Sequence, residues 1–191
     1  MTHGFQPGGR SPAPAPLDLV QDFVNTEIPD WDRDEIATPE ALGAWLAGHG
    51  LLARGATVDS HAIAGAQYGA RALRDLGLAN TLGEPLGRSR EREIDETLAR
   101  FPLGVRLVEG APMLAPAVDG VQGGLATVVA VVAEARLRGV WERMKACRQE
   151  TCGWLFYDGS RNRSSSWCSM QICGGREKAR SYRRRAAGKH A

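Results

Sequence analysis

The chain has 191 residues, of which 43% are hydrophobic and 24% are charged, as in an ordinary globular protein. Residues 1–16 (MTHGFQPGGRSPAPAP) lack the apolar segment of a secretory signal. The longest apolar run, LATVVAVVA at residues 125–133, is too short to cross a bilayer. We therefore expect a cytoplasmic protein that makes no membrane contact.

The formal net charge of +2 is distributed unevenly along the chain. Residues 138–191 carry thirteen basic and four acidic side chains, whereas residues 1–137 carry eleven basic and eighteen acidic ones. An acidic body followed by a basic tail predicts an anionic partner.

The first predicted elements are a disordered tail and two helices. Residues 1–16 are rich in proline and glycine, which predicts disorder. Apolar residues at helical spacing begin in LDLVQDFVNT, at residue 17. In the second helix Thr38 can form the cap and Pro39 suits the first position. Its apolar face includes His49, which we interpret as a core histidine, and Gly48 or Gly50 ends it.

The middle of the chain predicts more helix and one hairpin. Helices are predicted over residues 61–76 and around Ile94, with a loop over residues 80–87 between them. GVRLVEGAPMLAPAV (residues 104–118) predicts a β-hairpin whose second strand is kept at an edge by Pro112 and Pro116. From residue 121 to about residue 145 the pattern is helical again and continues into the first cysteine without a Gly/Pro linker.

All four cysteines lie in two C-x4-C pairs, Cys147 with Cys152 and Cys168 with Cys173, and fifteen residues separate the pairs. Cytosolic thiols stay reduced, so one tetrahedral Zn²⁺ is favoured over two disulfides or four free thiols. Four cysteinates close the coordination shell, which makes the predicted zinc structural.

The fifteen residues between the pairs, GWLFYDGSRNRSSSW, predict a hairpin that returns the second pair to the metal. This tail is too short to build an adequate core without the metal. A miniature core separate from that of the body is therefore predicted, formed by Trp154, Phe156, Tyr157 and Trp167.

The segment after the last cysteine, GGREKARSYRRRAAGKHA, predicts a helix with four arginines along one face. Arginine binds phosphate and also reads guanine edges, so we interpret this face as a nucleic-acid contact. The alternative is a solubilising helix end, because arginine also suits the C-terminal dipole. The predicted nucleic-acid-binding residues are Arg161, Arg163, Arg176, Lys178, Arg180, Arg183, Arg184 and Arg185.

Roughly residues 145–186 resemble the CGNR-type zinc finger of bacterial transcription regulators. Besides the four cysteines, the matching positions are Trp154, Phe156, Asp158, Ser160, Arg161, Trp167, Ser169, Met170, Gly174, Arg176 and Lys178. The chain departs from the signature at Gly175, where the family has Asn. Both residues tolerate the left-handed conformation, so we expect the turn after Cys173 to survive.

The body resembles the ABATE domain, which precedes this finger and is described as a stress-induced transcription regulator. DFVNT (residues 22–26) and TPEALGAWLAGHGL (residues 38–51) carry the likeness. The expected organisation is a tail over residues 1–16, an ABATE-like regulatory domain over residues 17–143 and the finger with its basic helix over residues 144–191. The predicted fold class is α+β: a mainly helical domain with one hairpin, then a four-cysteine zinc finger of treble-clef or ribbon-like type.

The resemblance implies a regulator that binds duplex DNA, holds one structural zinc per chain and uses its N-terminal domain as a sensor or dimerisation unit. It leaves open a small-molecule effector, a homodimer and the target sequence. An RNA-binding or protein-interaction zinc module is the alternative.

An enzyme is the third class of function considered. Asp22, Asn25, His49 and His61 are the polar body residues considered for catalysis, and they form no recognisable catalytic spacing. Asn25 is interpreted as a turn or cap residue instead. We expect no enzymatic activity.

Overall fold

A computed structural model describes residues 6–28 and 32–187. Its helices are α1 (Leu17–Val24), α2 (Pro39–Gly48), α3 (Ser60–Leu82), α4 (Arg88–Leu98), α5 (Gly120–Leu137) and α6 (Gly175–Ala187). Its strands are β1 (Glu27–Ile28), β2 (Arg33–Asp34), β3 (Leu103–Val108), β4 (Ala111–Pro116), β5 (Met144–Ala146) and β6 (Leu155–Tyr157), paired antiparallel as β1–β2, β3–β4 and β5–β6. The predicted α+β class is confirmed.

The core of the body lies between α1, α3 and α5. Val20 and Phe23 of α1, Leu73 of α3 and Val128 of α5 are buried in one cluster. By length and hydropathy α5 could cross a membrane, but much of its apolar surface faces this cluster, as in the central helix of a globular domain. Burial of apolar area is therefore what holds the three helices together.

Two helix boundaries differ from the sequence prediction. Helix α3 continues beyond residue 76, through Gly77, to Leu82, and Gly83 ends it in the left-handed conformation at φ 68°. Residues 80–82 are therefore helix and not loop. Helix α5 ends at Leu137 and not near residue 145, because Gly139 adopts φ 67° and turns the chain into the 3₁₀ turn Trp141–Arg143.

The β3–β4 hairpin is confirmed. Its register runs from Leu103 opposite Pro116 to Val108 opposite Ala111, and the two turn residues at 109 and 110 both have positive φ. The outer part of the hairpin is exposed, with Val105 72% and Leu107 77% accessible. These side chains give the body an apolar projection.

The segment before α1 is packed where disorder was predicted. Residues 7–9 form a 3₁₀ turn, Ala13 is buried, and its backbone N–H donates to Oε1 of Gln21 at 2.7 Å. Proline-rich chain loses little conformational freedom on docking, because its φ angles are already fixed. Residues 1–5, which the same prediction included, lie outside the described residues.

Helix α2 begins as predicted, with Oγ1 of Thr38 accepting the N–H of Ala41 at 3.2 Å, but His49 is not a core histidine. It follows the last residue of α2 and is exposed. Its ring stacks on Trp45 with centroids 4.0 Å apart, and its Nε2 lies 4.0 Å from Oδ2 of Asp22. As the C-cap residue, His49 places its ring against Trp45 and near Asp22 at the end of the helix.

The Asp22 carboxylate raises the pKa of His49 above the usual value of about 6.5. Protonated His49 therefore stabilises the folded state fully below that value, and the contribution is lost as the pH rises through the raised, folded-state pKa. H49Q should lose more stability relative to wild type at pH 5 than at pH 9, as measured by urea unfolding, because the stacking on Trp45 is lost at both pH values. In an NMR titration D22N should lower the pKa of His49. A pKa of His49 that D22N leaves unchanged would contradict this assignment.

Candidate metal centre and basic helix

The first cysteine pair lies in the turn of the β5–β6 hairpin. The N–H of Cys147 donates to the carbonyl of Trp154 at 2.9 Å, and the N–H of Cys152 donates to that of Gln149 at 2.9 Å. The predicted hairpin between the two cysteine pairs is therefore wrong. Strand β6 pairs with β5, which precedes the first cysteine pair, and residues 158–167 form a loop. The sequence pattern missed the short strand MKA, whose pairing with β6 encloses the first pair.

The second pair precedes the basic helix directly. A π-helical turn, Met170–Gly174, follows Ser169 and leads into α6. Gly175 has φ −66° and ψ −43°, so the turn after Cys173 does not use the left-handed conformation that Gly and Asn both tolerate. A Cβ at this position would meet only the carbonyl oxygen of Met170 at 3.7 Å, so the backbone leaves room for the Cβ of a residue other than glycine. A hairpin holding one ligand pair and a helix following the other is the predicted treble-clef arrangement.

All four cysteine sulfurs lie within 4.8 Å of one another and are buried. The Sγ–Sγ distance is 3.7 Å between Cys152 and Cys168 and 3.6 Å between Cys168 and Cys173. Tetrahedral Zn²⁺ with Zn–S bonds of about 2.3 Å places its sulfurs about 3.8 Å apart, so the cage has the size that zinc requires.

The charge of the cage leads to the same conclusion. A hydrogen bond with Cys147 raises the pKa of the Cys168 thiol, and burial raises the pKa of Cys173. Four buried sulfurs at this spacing cannot all ionise without a central cation. The centre therefore holds one structural Zn²⁺ ligated by Cys147, Cys152, Cys168 and Cys173, with no open position.

The zinc centre and the body have two distinct clusters of buried residues, as predicted, but the two clusters are not independent. Trp154 and Phe156 pack around the cysteines together with Ile28 of the body. Leu155, between the two aromatic residues, is fully buried in the core of the body. Adjacent residues of β6 point to opposite faces, so one three-residue strand joins both clusters.

A buried ion pair organises the loop that carries Arg161 and Arg163. Nζ of Lys145 lies 3.2 Å from Oδ2 of Asp158, with the two side chains 6% and 0% exposed. Burial opposes the ionisation of Asp158, but hydrogen bonds from Ser160 and Ser165 outweigh it and hold its pKa well below the usual range. Lys145 also donates to the carbonyl of Arg163, which fixes the loop backbone.

The eight basic residues predicted from sequence are all exposed: Arg161, Arg163, Arg176, Lys178, Arg180, Arg183, Arg184 and Arg185. Six of them lie on α6 beside one acidic residue, Glu177. Arg180 donates to Oε1 of Gln149 at 3.3 Å, and Arg184 donates to Oε1 of Glu177 at 2.8 Å. Residues 188–191, at the end of the predicted finger domain, lie outside the described residues.

Comparison with protein families matches both parts of this structure. The model of the CGNR zinc finger matches residues 143–186, and the ABATE model, "Putative stress-induced transcription regulator", matches residues 17–140, more than half of the chain. The chain belongs to the ABATE family. Both matches are of regulator or zinc-finger type and not of an enzyme family. A search of curated proteins found no match.

The DFVNT motif of the ABATE body forms hydrogen bonds with the zinc finger. Nδ2 of Asn25 donates to the carbonyl of Leu155 at 2.8 Å, and the N–H of Leu155 donates to Oδ1 of Asn25 at 2.8 Å. Gln21, one turn earlier on α1, donates to the same carbonyl at 3.3 Å. Asn25 is the C-cap residue of α1, in keeping with its interpretation as a turn or cap residue, but its side chain bonds the remote Leu155 backbone. The signal that sequence reasoning missed is a pair of amides four residues apart on an otherwise buried helix face.

Helix α3 of the ABATE body also packs against the β5–β6 hairpin of the finger. A Cβ at Gly77 would lie 2.5 Å from Cδ1 of Leu155 and 3.2 Å from the backbone nitrogen of Ala146, so only glycine permits this approach. Arg74, on the preceding turn, packs against Gly153 and donates to the carbonyls of Val24 and Glu27. Helix, hairpin and zinc ligands are thus held in one fixed geometry.

The N-terminal strap, residues 6–13, covers the finger from the other direction. Nε of Arg10 donates to the carbonyl of Cys168 at 3.1 Å, and a terminal nitrogen of its guanidinium donates to that of Trp167 at 3.2 Å. The same guanidinium lies 4.4 Å from the centroid of the Phe156 ring. Nothing in the sequence around Arg10 indicated this role.

Proposed function

We propose that this protein is a DNA-binding transcription regulator whose zinc finger presents α6 to duplex DNA. The observation that carries the proposal is a helix with six exposed basic residues and one acidic residue, fixed at its N-terminus by a four-cysteine zinc centre. Guanidinium groups bind phosphate and read guanine, and a helix of this kind fits a major groove.

The proposal also fits the distribution of charge. Residues 138–191 carry thirteen basic and four acidic side chains, and four cysteinates with one Zn²⁺ leave this region strongly positive. The body is acidic, so the finger is the part that a polyanion would approach. Arg161 and Arg163, on the loop fixed by Asp158, are proposed to contact backbone phosphate beside the helix.

The proposal predicts steeply salt-dependent binding. If α6 and its neighbouring loop neutralise about four to six phosphates, the logarithm of the association constant should fall with the logarithm of salt at a slope of about −4 to −5. R183A should reduce that slope by about one unit if Arg183 contacts only phosphate. The Arg183 side chain donates to a carbonyl of its own helix and forms no ion pair within the described residues, so the substitution disturbs no other side chain. Fluorescence anisotropy of a labelled duplex over a salt series measures both slopes.

The matched control is R106Q, which removes an exposed arginine from the hairpin of the body and should leave the slope unchanged. Tighter binding of structured RNA than of duplex at matched salt would favour an RNA-binding module. No salt-dependent binding of either nucleic acid would leave a protein-interaction module. Circular dichroism and zinc content confirm that each variant is folded.

The body, within the proposed domain limits 17–143, is proposed to act as a sensor or dimerisation unit in the cytoplasm. A cleft of about 700 Å³ between α2 and residues 53–58 could take a small-molecule effector. The exposed Val105 and Leu107 on the hairpin offer a surface for a second copy. We propose no catalytic role, because the amide of Asn25 is committed to the backbone of Leu155.

A further inference from the structure

A second basic feature of the finger, the Arg148 cleft, lies beside α6. It is a concavity of about 410 Å³ lined by Arg148, Gln149, Glu150, Trp167, Glu177, Arg180 and Arg184. Arg148 lies between the first two zinc ligands and was not among the residues predicted from sequence. Its backbone N–H donates to the carbonyl of Ser166 at 2.9 Å, so the metal and the loop fix its position.

Three arginines from two elements line the cleft, and the zinc centre holds both elements. Arg180 and Arg184 are one helical turn apart and so lie on the same face of α6. Two carboxylates line the cleft as well, which leaves it net positive. The half-buried indole of Trp167 adds an aromatic wall. A concave site with several arginines suits a tetrahedral oxyanion better than a carboxylate, because several guanidinium groups can share its oxygens.

Glu177 already occupies the position of an anion in this cleft. Its Oε1 accepts from Arg184 at 2.8 Å and from Oγ of Ser181 at 3.0 Å. The Ser181 hydrogen bond, together with the charge of Arg184, lowers the pKa of Glu177. Arg148 makes no side-chain hydrogen bond or ion pair within the described part of the chain. Arg148 is thus available to a bound anion, whereas Arg184 is already paired with the Glu177 carboxylate.

We propose that the Arg148 cleft binds one backbone phosphate of duplex DNA, and that Glu177 competes with this phosphate for Arg184. The inference rests on the proposed function. It makes Glu177 a limit on affinity, since a phosphate must displace it from Arg184 before that arginine contributes. It also makes Arg148 a DNA contact that belongs to the hairpin and not to the helix.

Two substitutions test the cleft by duplex binding over a salt series. R148Q should weaken binding to all sequences alike and reduce the salt slope by about one unit, whereas R106Q on the body hairpin should leave it unchanged. E177Q should tighten binding more than E150Q, because both remove one negative charge from the cleft but only Glu177 holds an arginine. Equal effects of E177Q and E150Q, or an unchanged slope for R148Q while the wild type binds duplex, would overturn the inference and leave the proposed function standing.

A second measurement separates the cleft from DNA binding itself. Inorganic phosphate added to the zinc-loaded protein should shift the ¹H–¹⁵N Nε resonance of Arg148 at millimolar concentration, and chloride at equal ionic strength should not. If the wild type binds no duplex, the proposed function fails. A phosphate-specific shift of Arg148 would then still support an oxyanion site in the cleft, and its absence would overturn that site as well.

Discussion

Replacing Cys152 by serine is expected to unfold the finger and to destabilise the ABATE body at the same time. A structural zinc contributes about 10–16 kcal/mol of binding free energy to a folded finger, and this contribution is largely lost when one ligand is removed. Trp154 and Phe156 then lose the cluster against which they pack. Because Leu155 leaves the body core with them, the body loses about 2–5 kcal/mol, the cost of a large core truncation.

That loss is large against a total stability of about 5–15 kcal/mol for a domain of this size. Hydrogen exchange of the α3 and α5 amides should therefore speed up in C152S and in wild type treated with a chelator, and added Zn²⁺ should restore protection only in the wild type. L155A is the matched variant, because it should destabilise the body while keeping one zinc per chain. Body amides that exchange at the same rate with and without zinc would show that the body is stable without the finger.

The second large effect is expected at Lys145. K145M leaves the Asp158 carboxylate fully buried without its cation, and removing one partner of a buried ion pair costs about 3–5 kcal/mol. The cost includes the donation of Lys145 to the carbonyl of Arg163, which holds the loop. Urea unfolding of the zinc-loaded protein measures the free energy.

Two comparisons identify the origin of that loss. K178M removes an exposed lysine of α6 and should change the free energy of unfolding by no more than about 0.5 kcal/mol. The double variant K145M/D158N removes both charges and should recover part of the stability lost in K145M. A K145M protein within about 1 kcal/mol of wild type would mean that Asp158 does not require its counter-charge.

The cysteine centre could be predicted because its chemistry is local. Two pairs of equal spacing need only short turns to bring four sulfurs together, and a reduced compartment favours zinc over disulfides. The predicted position of the hairpin within the finger was wrong, because that position is not determined by local sequence. A three-residue strand such as β5 has no periodicity to detect, and its pairing is set by the metal and by packing against α3.

Contacts between distant segments were out of reach of pattern analysis. Asn25 and Leu155 are 130 residues apart, and a buried amide looks the same in a sequence whether it caps its own helix or pairs with a remote strand. The contacts of Arg10 with the finger could not be predicted either, because Arg10 lies in a segment whose composition predicts disorder. Helix caps such as Thr38 were predicted correctly because donor and acceptor lie three residues apart.

The N-terminal strap also has a consequence for the order of folding during synthesis. Its hydrogen bonds from Arg10 span 147 to 158 positions of sequence, so the donor is translated long before its acceptors. At about 5–20 residues per second, this delay is about 7 to 30 s. During that interval the α1–α3 region lacks Leu155, and the strap lacks the finger that it covers. Contacts between such distant segments form slowly, whereas the four cysteines are close in sequence, so we expect metal capture to precede strap docking. The nascent body must remain unaggregated until its own C-terminal residues arrive.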